Sequence, residues 1–197
     1  MIKSDSTENT AVVIKNINSG RRDDFKLIVE KYQRLVSHIV FRMVNDTSDR
    51  EDLSQEIFLK VYKNLKSFRF ESRFSTWIAK IAYNECINHI KKKRMILFSD
   101  QKEGVLNRVV DKNILPDEAI EKLENREIVL REINRLDVRY RVILTLYHIH
   151  GMRYREIGDV MNLPQGTVKS YLFRARRELK EALIERYRGD RLWRINI

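Results

Sequence analysis

Five acidic side chains stand close together in a chain that is otherwise basic, and carboxylates at such a density can hold a metal ion. They are Asp46, Asp49, Glu51, Asp52 and Glu56. Within a helix, Asp49, Asp52 and Glu56 lie three and four residues apart, along one exposed edge. A magnesium site here would suit phosphodiester chemistry, but no second carboxylate group or general base is evident. A solvated helix start and a docking face for a basic partner protein are the alternatives.

The histidines and the cysteine do not form a metal-binding pattern. His148 and His150 are two residues apart, so on a helix their side chains diverge by about 200° and cannot converge on one ion. His38 and His89 are single histidines on predicted helices, and we interpret all four as structural or surface groups. The single Cys86 can form no internal disulfide, and no C-x-x-C pair is present. We therefore expect no metal ion and no cofactor.

The stretch 154–179 has the pattern of two helices joined by a tight turn. The first helix carries an apolar stripe at three- and four-residue spacing: Ile157, Val160 and Met161. Asn162-Leu163-Pro164 ends this helix, because the residue before a proline is pushed out of helical geometry, and Pro164 can stand at the start of the next helix. The second helix has an apolar residue every three or four positions, which predicts a buried side formed by Val168, Leu172, Ala175 and Leu179.

The remaining surface of this second helix is cationic and rich in hydrogen-bonding groups. It carries Lys169, Ser170, Phe173, Arg174 and Arg177. A helix with an apolar back and such a front, set across a short turn from another helix, is the helix-turn-helix arrangement that places a helix in the DNA major groove. The alternative is a helical hairpin with a solvated basic face. Turn, stripe and charge agree on the DNA-binding interpretation.

Aromatic and cationic side chains alternate further upstream. The aromatic ones are Phe68, Phe70, Phe74, Trp77 and Tyr83, and the cationic ones are Arg69, Arg73 and Lys80. Aromatic residues at this density favour a hydrophobic core, and Trp77 in particular precedes Ile81 by four residues on an apolar face. A loop of rings and cations is also a platform on which unpaired bases can stack while cations hold phosphates. Phe70 lies in the predicted loop with no helical stripe to join.

Composition limits the classes of protein that this chain can belong to. Its 197 residues suffice for one or two domains, and Lys+Arg 39 against Asp+Glu 28 gives a net charge of +11 that favours a polyanionic partner. Only six Gly and two Pro are present, so a β-sandwich or β-barrel is not expected. The chain has no long apolar run and no signal pattern at its start. We expect an all-α, cytosolic protein with no membrane insertion.

Periodicity predicts two helical domains with a flexible linker between them. The start is polar and expected to fray to about Thr10, and a short helix can form over 11–17. Longer helices are predicted from Asp23, from a Ser48/Glu51 capping box, and from about Phe74 to a basic run at 91–94 that suits a helix C-terminus. Residues 95–115 lack periodicity and predict the linker. Further helices are predicted from Pro116 and over 138–150, the second capped by Gly151.

Three motifs in this order resemble the extracytoplasmic-function sigma factors of bacterial RNA polymerase, in the sigma-70 family. The motifs are Asp-Arg-Glu-Asp-Leu-Ser-Gln-Glu-Ile-Phe-Leu-Lys-Val-Tyr (49–62), Arg-Phe-Ser-Thr-Trp-Ile-Ala-Lys-Ile-Ala-Tyr-Asn (73–84) and Gly-Thr-Val-Lys-Ser (166–170). The resemblance implies a tail at 1–17, a region-two domain at 18–94, a linker at 95–115, a region-four domain at 116–190 and a tail at 191–197. It also implies a transcription initiation factor that is not an enzyme.

The resemblance further implies three binding surfaces. The surface for core polymerase comprises Asp49, Asp52, Leu53, Gln55, Glu56 and Phe58. The surface for the melted minus-ten element comprises Phe68, Phe70, Arg73, Phe74, Trp77, Lys80 and Asn84. The surface for the duplex minus-thirty-five element comprises Tyr154, Arg155, Thr167, Lys169, Ser170, Phe173, Arg174 and Arg177.

Two positions depart from the family pattern. Tyr171 stands where the family usually has Arg, and Arg155 stands where an acidic residue is common. The resemblance also implies an anti-sigma factor as a partner, although no residue demonstrates one. The alternative function is a conventional helix-turn-helix regulator with an N-terminal sensing domain, which would bind duplex DNA alone and would not need the acidic face.

Overall fold

The computed structural model of the protein describes residues 5–99 and 120–186. Throughout these residues the ordered elements are helices and no strand occurs, which confirms the all-α prediction. The α-helices are α1 (Asp5–Asn18), α2 (Phe25–Met43), α3 (Thr47–Asn64), α4 (Phe74–Ser99), α5 (Ile120–Arg135), α6 (Val138–Leu144), α7 (Tyr154–Met161) and α8 (Gln165–Arg186). We call α1–α4 the amino-terminal unit and α5–α8 the carboxy-terminal unit.

The amino-terminal unit buries one face of each of its helices. The predicted stripe on α3 is buried as expected, with Leu53, Ile57, Val61 and Leu65 at most 3% exposed. Opposite it, α2 contributes Ile28, Leu35, Val36, Ile39, Val40 and Met43. α4 passes through this core with Ile78, Ala79, Ala82 and Cys86 fully buried. Burial raises the pKa of the Cys86 thiol to about 12, so this cysteine is an unreactive packing residue.

The first helix differs from the expectation of a frayed start. α1 already begins at Asp5, and its Val13, Ile14 and Ile17 are buried against the amino-terminal unit. The polar residue Thr10 is only 4% exposed, because its hydroxyl accepts a 2.6 Å hydrogen bond from Lys31 on α2. The packing of three apolar side chains at helical spacing therefore stabilises the helix, which extends to the polar residues before them.

The observed start of α3 and the observed end of α4 both differ from the sequence prediction. The N-cap of α3 is Asp46, whose carboxylate accepts from the backbone N–H of Ser48 and Asp49, and not Ser48 itself. α4 continues to Ser99, so the basic run 91–94 lies within the helix and not at its C-terminus. The predicted linker thus begins inside α4. The rest of it, the predicted helix start at Pro116 and residues 187–197 lie outside the described residues.

The carboxy-terminal unit packs α6 and α7 against α8. A π-helical turn at Thr145–Ile149 extends α6 towards Gly151. The buried side chains include Val142, Ile143, Leu144, Leu146, Met152, Ile157, Val160 and Met161 together with the back of α8. Glu132 on α5 is fully buried and pairs with Arg135 and, at 3.4 Å, with Arg186. Because an uncompensated buried charge is strongly destabilising, this pair ties α5 to the end of α8.

The cap of α3 gives a direct test of the fold. Asp46→Ala should lower the free energy of unfolding by about 1 kcal/mol, because two backbone N–H groups lose their acceptor. Asp46→Asn should retain most of the stability, since asparagine caps equally well. Ser48→Ala is the matched control and should be close to neutral. Urea unfolding would measure all three, and an equal loss for Ser48→Ala would return the capping role to Ser48.

Candidate nucleic-acid and protein interfaces

The acidic edge of α3 divides into exposed and paired groups. Asp52, Gln55 and Glu56 are exposed and free to meet a partner. Leu53 is 3% exposed, so it supports the helix from behind and cannot itself contact a partner in this fold. Phe58 is half-buried. Among residues 5–99 and 120–186, no three His, Cys, Asp or Glu side chains are arranged to hold a metal ion, and the magnesium interpretation gains no support.

Asp49 is not part of the freely exposed edge. Its carboxylate accepts a 2.6 Å hydrogen bond from Lys93 and a 3.2 Å hydrogen bond from His89, both on α4. The bond from Lys93, reinforced by its charge and by His89, lowers the pKa of Asp49. Asp49 therefore ties the start of α3 to α4, and of the three carboxylates on the predicted edge, Asp52 and Glu56 are the exposed ones.

An apolar groove runs beside this acidic edge, between α2 and α3. Its volume is about 630 Å³, and it is lined by Phe25, Val29, Gln33, Arg34, Ser37, Ser54, Gln55, Phe58 and Leu59. Leu59 in this groove is 59% exposed. Leu27, two residues before Val29 on α2, is 44% exposed. Sequence reasoning missed this groove, although Leu59 lies outside the buried stripe of α3 and could have signalled it. Apolar exposure flanked by Asp52 and Glu56 is typical of a protein-binding surface.

The aromatic residues separate into packed and exposed groups. Phe68 and Phe74 are buried, with their ring centroids 5.0 Å apart, and Trp77 stacks on Phe74 at 5.4 Å. These two phenylalanines therefore cannot take up a base without unpacking. Phe70 is 51% exposed, at the surface of this cluster, with its ring 4.7 Å from that of Phe68.

Phe70 also has an unusual backbone conformation. Its φ is +60°, in the left-handed region that bulky residues seldom occupy. Such strain is concentrated at ligand-binding sites, where the surrounding structure holds it in place. Arg73, Lys80 and Asn84 are exposed as well, and Trp77 is half-buried. An exposed ring with an exposed cation, Arg73, three residues further along the chain is suited to stacking on an unpaired base.

The helix-turn-helix forms as the sequence predicts. α7 ends at a left-handed Asn162 (φ +55°), and Pro164 directly precedes α8. Gly158 is required at this turn, because a Cβ there would lie 2.7 Å from the carbonyl oxygen of Leu163. The four predicted back residues of α8, Val168, Leu172, Ala175 and Leu179, are all buried. Their burial leaves the opposite side of α8 free to face solvent.

The front of α8 presents the groups that the sequence predicts for DNA. Lys169, Ser170, Arg174 and Arg177 are exposed, and Phe173 is 68% exposed. Thr167 is half-buried near the start of the helix, and Arg155 on α7 is exposed. Tyr154 is half-buried, and the ammonium of Lys169 lies 5.8 Å from the centre of its ring. These cationic and polar groups of α8 thus share one face, as a helix in the major groove requires.

Tyr171 faces away from this front. Its ring packs edge-on against Tyr140 on α6 at 5.9 Å, and the guanidinium of Arg139 lies 5.7 Å from its ring centre. A tyrosine at this position is therefore a packing residue between α6 and α8. This contact explains how the chain can depart from a basic residue there without leaving a gap in the fold.

The two units contact each other along a seam that sequence reasoning did not predict. His38 and His150 are hydrogen-bonded ring to ring at 3.1 Å, and Arg42 donates a 3.3 Å hydrogen bond to Thr145. At the other end of the seam, Arg73 pairs with Glu156 at 3.4 Å. No local pattern marks these contacts, because their partners are between 83 and 112 residues apart.

Known proteins similar to this chain agree on one family. A model of sigma-70 region 2 matches residues 28–95, and a model of sigma-70 region 4 matches residues 126–179. The ECF RNA polymerase sigma factor SigW of Bacillus subtilis (strain 168) is 33% identical over 176 residues, covering 86% of this chain and 94% of the relative. The ECF RNA polymerase sigma-E factor of Escherichia coli (strain K12) is 34% identical over 175 residues, covering 84% and 89%.

Two solved structures have a similar fold. One is the sigma factor RpoE in complex with the anti-sigma factor NepR from Bartonella quintana, with a TM-score of 0.66 and 22% identity over 85% of this chain and 99% of that one. The other is CnrH in complex with the cytosolic domain of CnrY, with a TM-score of 0.62 and 18% identity over 89% and 97%. At these identities the likeness establishes the fold alone. Within the described residues of this chain, no helix has the length and apolarity to cross a membrane.

The His38–His150 contact predicts that acid loosens the seam. Burial, followed by the charges of His38 and Arg34, lowers the pKa of His150 from 6.5 to about 4. His150 is therefore neutral at pH 7 whether the units are packed or apart. As pH falls from about 6.5 towards 4, the proton binds more readily when the units are apart, so separation is favoured.

Energy transfer between dyes on Asn64→Cys and Lys180→Cys would follow the distance between the units. We expect the transfer to decrease between pH 7.5 and pH 5.5, and His150→Gln to reduce this dependence. His89→Gln is the control, since His89 pairs with Asp49 within one unit. A signal that does not change with pH would exclude His150 as a determinant of the seam.

Proposed function

This chain belongs to the extracytoplasmic-function sigma factors of the sigma-70 family, and we propose that its two helical units divide promoter recognition between them. A sigma factor directs core RNA polymerase to promoters at the start of transcription, and this chain is one. In our proposal residues 18–94 form the region-two domain, against which α1 packs, and residues 116–190 form the region-four domain. The matched ranges 28–95 and 126–179 support these boundaries.

The observation that best supports this division is the presence of two exposed surfaces of different chemistry, one on each unit. α8 presents a cationic front that suits the major groove of a duplex, with Lys169, Ser170 and Arg174 exposed. The loop before α4 presents Phe70, which suits a single strand. We assign α8 to the minus-thirty-five element. We assign Phe70, with Arg73, Lys80 and Asn84, to the melted minus-ten element, where an extruded base needs a pocket.

The acidic edge and the adjacent groove form the proposed surface for core polymerase. Asp52 and Glu56 supply charge, while Phe58 and Leu59 supply apolar area in the α2–α3 groove. Leu53 and Asp49 position this surface from behind. An anti-sigma factor would be a competing partner, as one of the similar solved structures is a sigma factor in complex with an anti-sigma factor.

In this proposal the chain itself catalyses no reaction. Polymerase carries out RNA synthesis, and the chain acts with it in the bacterial cytoplasm. Each DNA-binding unit alone binds weakly, and joining them on one polymerase raises their effective concentration at the promoter. The experiment that tests the function is run-off transcription by core polymerase with and without the chain. A transcript that appears equally in both reactions would contradict it.

Charge reversal tests the polymerase surface. Asp52→Lys with Glu56→Lys should weaken binding to core polymerase by about tenfold or more, because like charges facing each other across an interface cost several kcal/mol. The fold should persist, since both side chains are exposed. Glu127→Lys with Glu185→Lys makes the same change of charge at two exposed positions of the carboxy-terminal unit, away from the groove, and should bind normally. Equal binding by both double variants, measured by native gel, would leave Asp52 and Glu56 as a solvated edge.

The aromatic loop predicts opposite outcomes for two substitutions. Phe70→Ala should reduce binding to the melted strand by about 1–3 kcal/mol, the usual value for one stacked base, with little loss of stability. Trp77→Ala should cost about 3 kcal/mol of stability, because its ring packs on Phe68 and Phe74. Permanganate footprints on a pre-melted promoter and thermal unfolding would measure the two effects. If Phe70→Ala unfolds the domain and leaves the footprint intact, Phe70 is a packing residue.

A further inference from the structure

One carboxylate in the carboxy-terminal unit contacts residues of both units. Glu156 lies in the first turn of α7, where its Oε2 accepts a 2.7 Å hydrogen bond from the backbone N–H of Arg153. Its Oε1 accepts a 3.5 Å hydrogen bond from the hydroxyl of Thr76 and lies 3.4 Å from Nε of Arg73. The side chain of Glu156 is 16% exposed, whereas that of Arg73 is 47% exposed. The carboxylate that caps α7 therefore also contacts residues at the start of α4.

The two groups that Glu156 contacts are Arg73, just before α4, and Thr76, in the first turn of α4, and both are suited to binding phosphate. A guanidinium binds carboxylate and phosphate oxygens with the same planar N–H groups, and a threonine hydroxyl commonly donates to DNA phosphates. Arg73 stands three residues after Phe70 and belongs to the proposed surface for the single strand. In the packed arrangement, the negative charge of Glu156 lies where a phosphate of the strand would otherwise lie.

The packed arrangement is also too small to span a promoter. A compact chain of this length has a radius of gyration of about 16 Å, hence a diameter of about 40 Å. The minus-thirty-five and minus-ten elements are about 25 base pairs apart, or about 85 Å of duplex. The 20 residues between Ser99 and Ile120 can reach about 70 Å when extended. The units must therefore separate at a promoter, and the contacts of Glu156 with α4 must then break.

We propose that Glu156 is an internal competitor of promoter DNA. While the units are packed, it holds Arg73 and Thr76 and repels the phosphates of a single strand. When polymerase separates the units, α4 is released to bind DNA while Glu156 keeps its place in the cap of α7. This proposal rests on the assignment of Arg73 to the melted-strand surface.

Glu156→Gln isolates the competing charge from the fold. Glutamine can serve at the third position of a capping box as well as glutamate, so α7 should keep its N-terminus. A hydrogen bond with Thr76 can also persist, with the glutamine amide N–H donating to the hydroxyl, while the ion pair with Arg73 is lost. Glu185→Gln, at an exposed position of α8, removes the same charge as a control. The probe is fluorescent single-stranded DNA of random sequence, titrated with the free full-length chain.

We expect Glu156→Gln to bind this probe about two- to fivefold more tightly than Glu185→Gln, as the loss of a partly exposed ion pair allows. In an Arg73→Gln background the gain should disappear. Within the holoenzyme, Glu156→Gln should match the native chain, because the units are already apart. Equal binding by the two glutamine variants, or a gain that persists without Arg73, would overturn the competition.

The assignment of Arg73 is tested separately. Arg73→Gln in the holoenzyme should weaken binding to a pre-melted promoter. If it binds as the native chain does, the role of Arg73 in DNA binding is wrong, and the competition by Glu156 is overturned with it. Wild-type binding by Arg73→Gln in the holoenzyme therefore means that the proposed function of Arg73 is wrong. If Arg73→Gln weakens binding in the holoenzyme but Glu156→Gln gives no gain in the free chain, only the competition is wrong.

Discussion

Burial of the back of α8 is the interaction on which the DNA-binding front depends. Val168, Leu172, Ala175 and Leu179 are all buried, and each large aliphatic side chain contributes about 1.5–3 kcal/mol when removed from water. Because these four positions lie on one side of the helix, their burial sets the rotation of α8 about its own axis. Lys169, Ser170 and Arg174 then face solvent as a consequence. The same logic on α3 leaves Asp52 and Glu56 exposed above the buried Leu53 and Ile57.

Local patterns were sufficient to predict the helices that carry these faces. The buried stripes of α3 and α8 follow directly from spacings of three and four residues, since helical periodicity is a property of neighbours in the sequence. The cap of α3 was predicted wrongly, because Ser48 and Asp46 are both acceptable caps and only the path of the chain selects Asp46. The start of α1 was missed for a similar reason. Its polar residues become helical through the packing of Val13, Ile14 and Ile17 against α2, which the sequence does not display.

The roles within the predicted sites depended on contacts that are distant in sequence. Asp49 belongs to the acidic pattern, but its carboxylate is hydrogen-bonded to His89 and Lys93 on α4. These two residues are 40 and 44 positions away in the sequence. Phe68 and Phe70 both lie in the predicted loop, and only the fold separates the buried Phe68 from the exposed Phe70. The residues of the seam have no local signature at all. Residue type and spacing therefore located the surfaces, while packing decided which members of each are available.

The composition of the seam is consistent with units that must come apart. Its described polar contacts are a partly exposed ion pair, which contributes about 0.2–1 kcal/mol, and a few hydrogen bonds of about 0.5–1.5 kcal/mol each. Together these polar contacts contribute only a few kcal/mol to the packed arrangement. Polymerase can reverse such a preference if it binds the separated units more tightly by the same amount. The seam also includes helix packing, of α4 against α7 and of α2 against α6, and binding to polymerase must offset this packing as well.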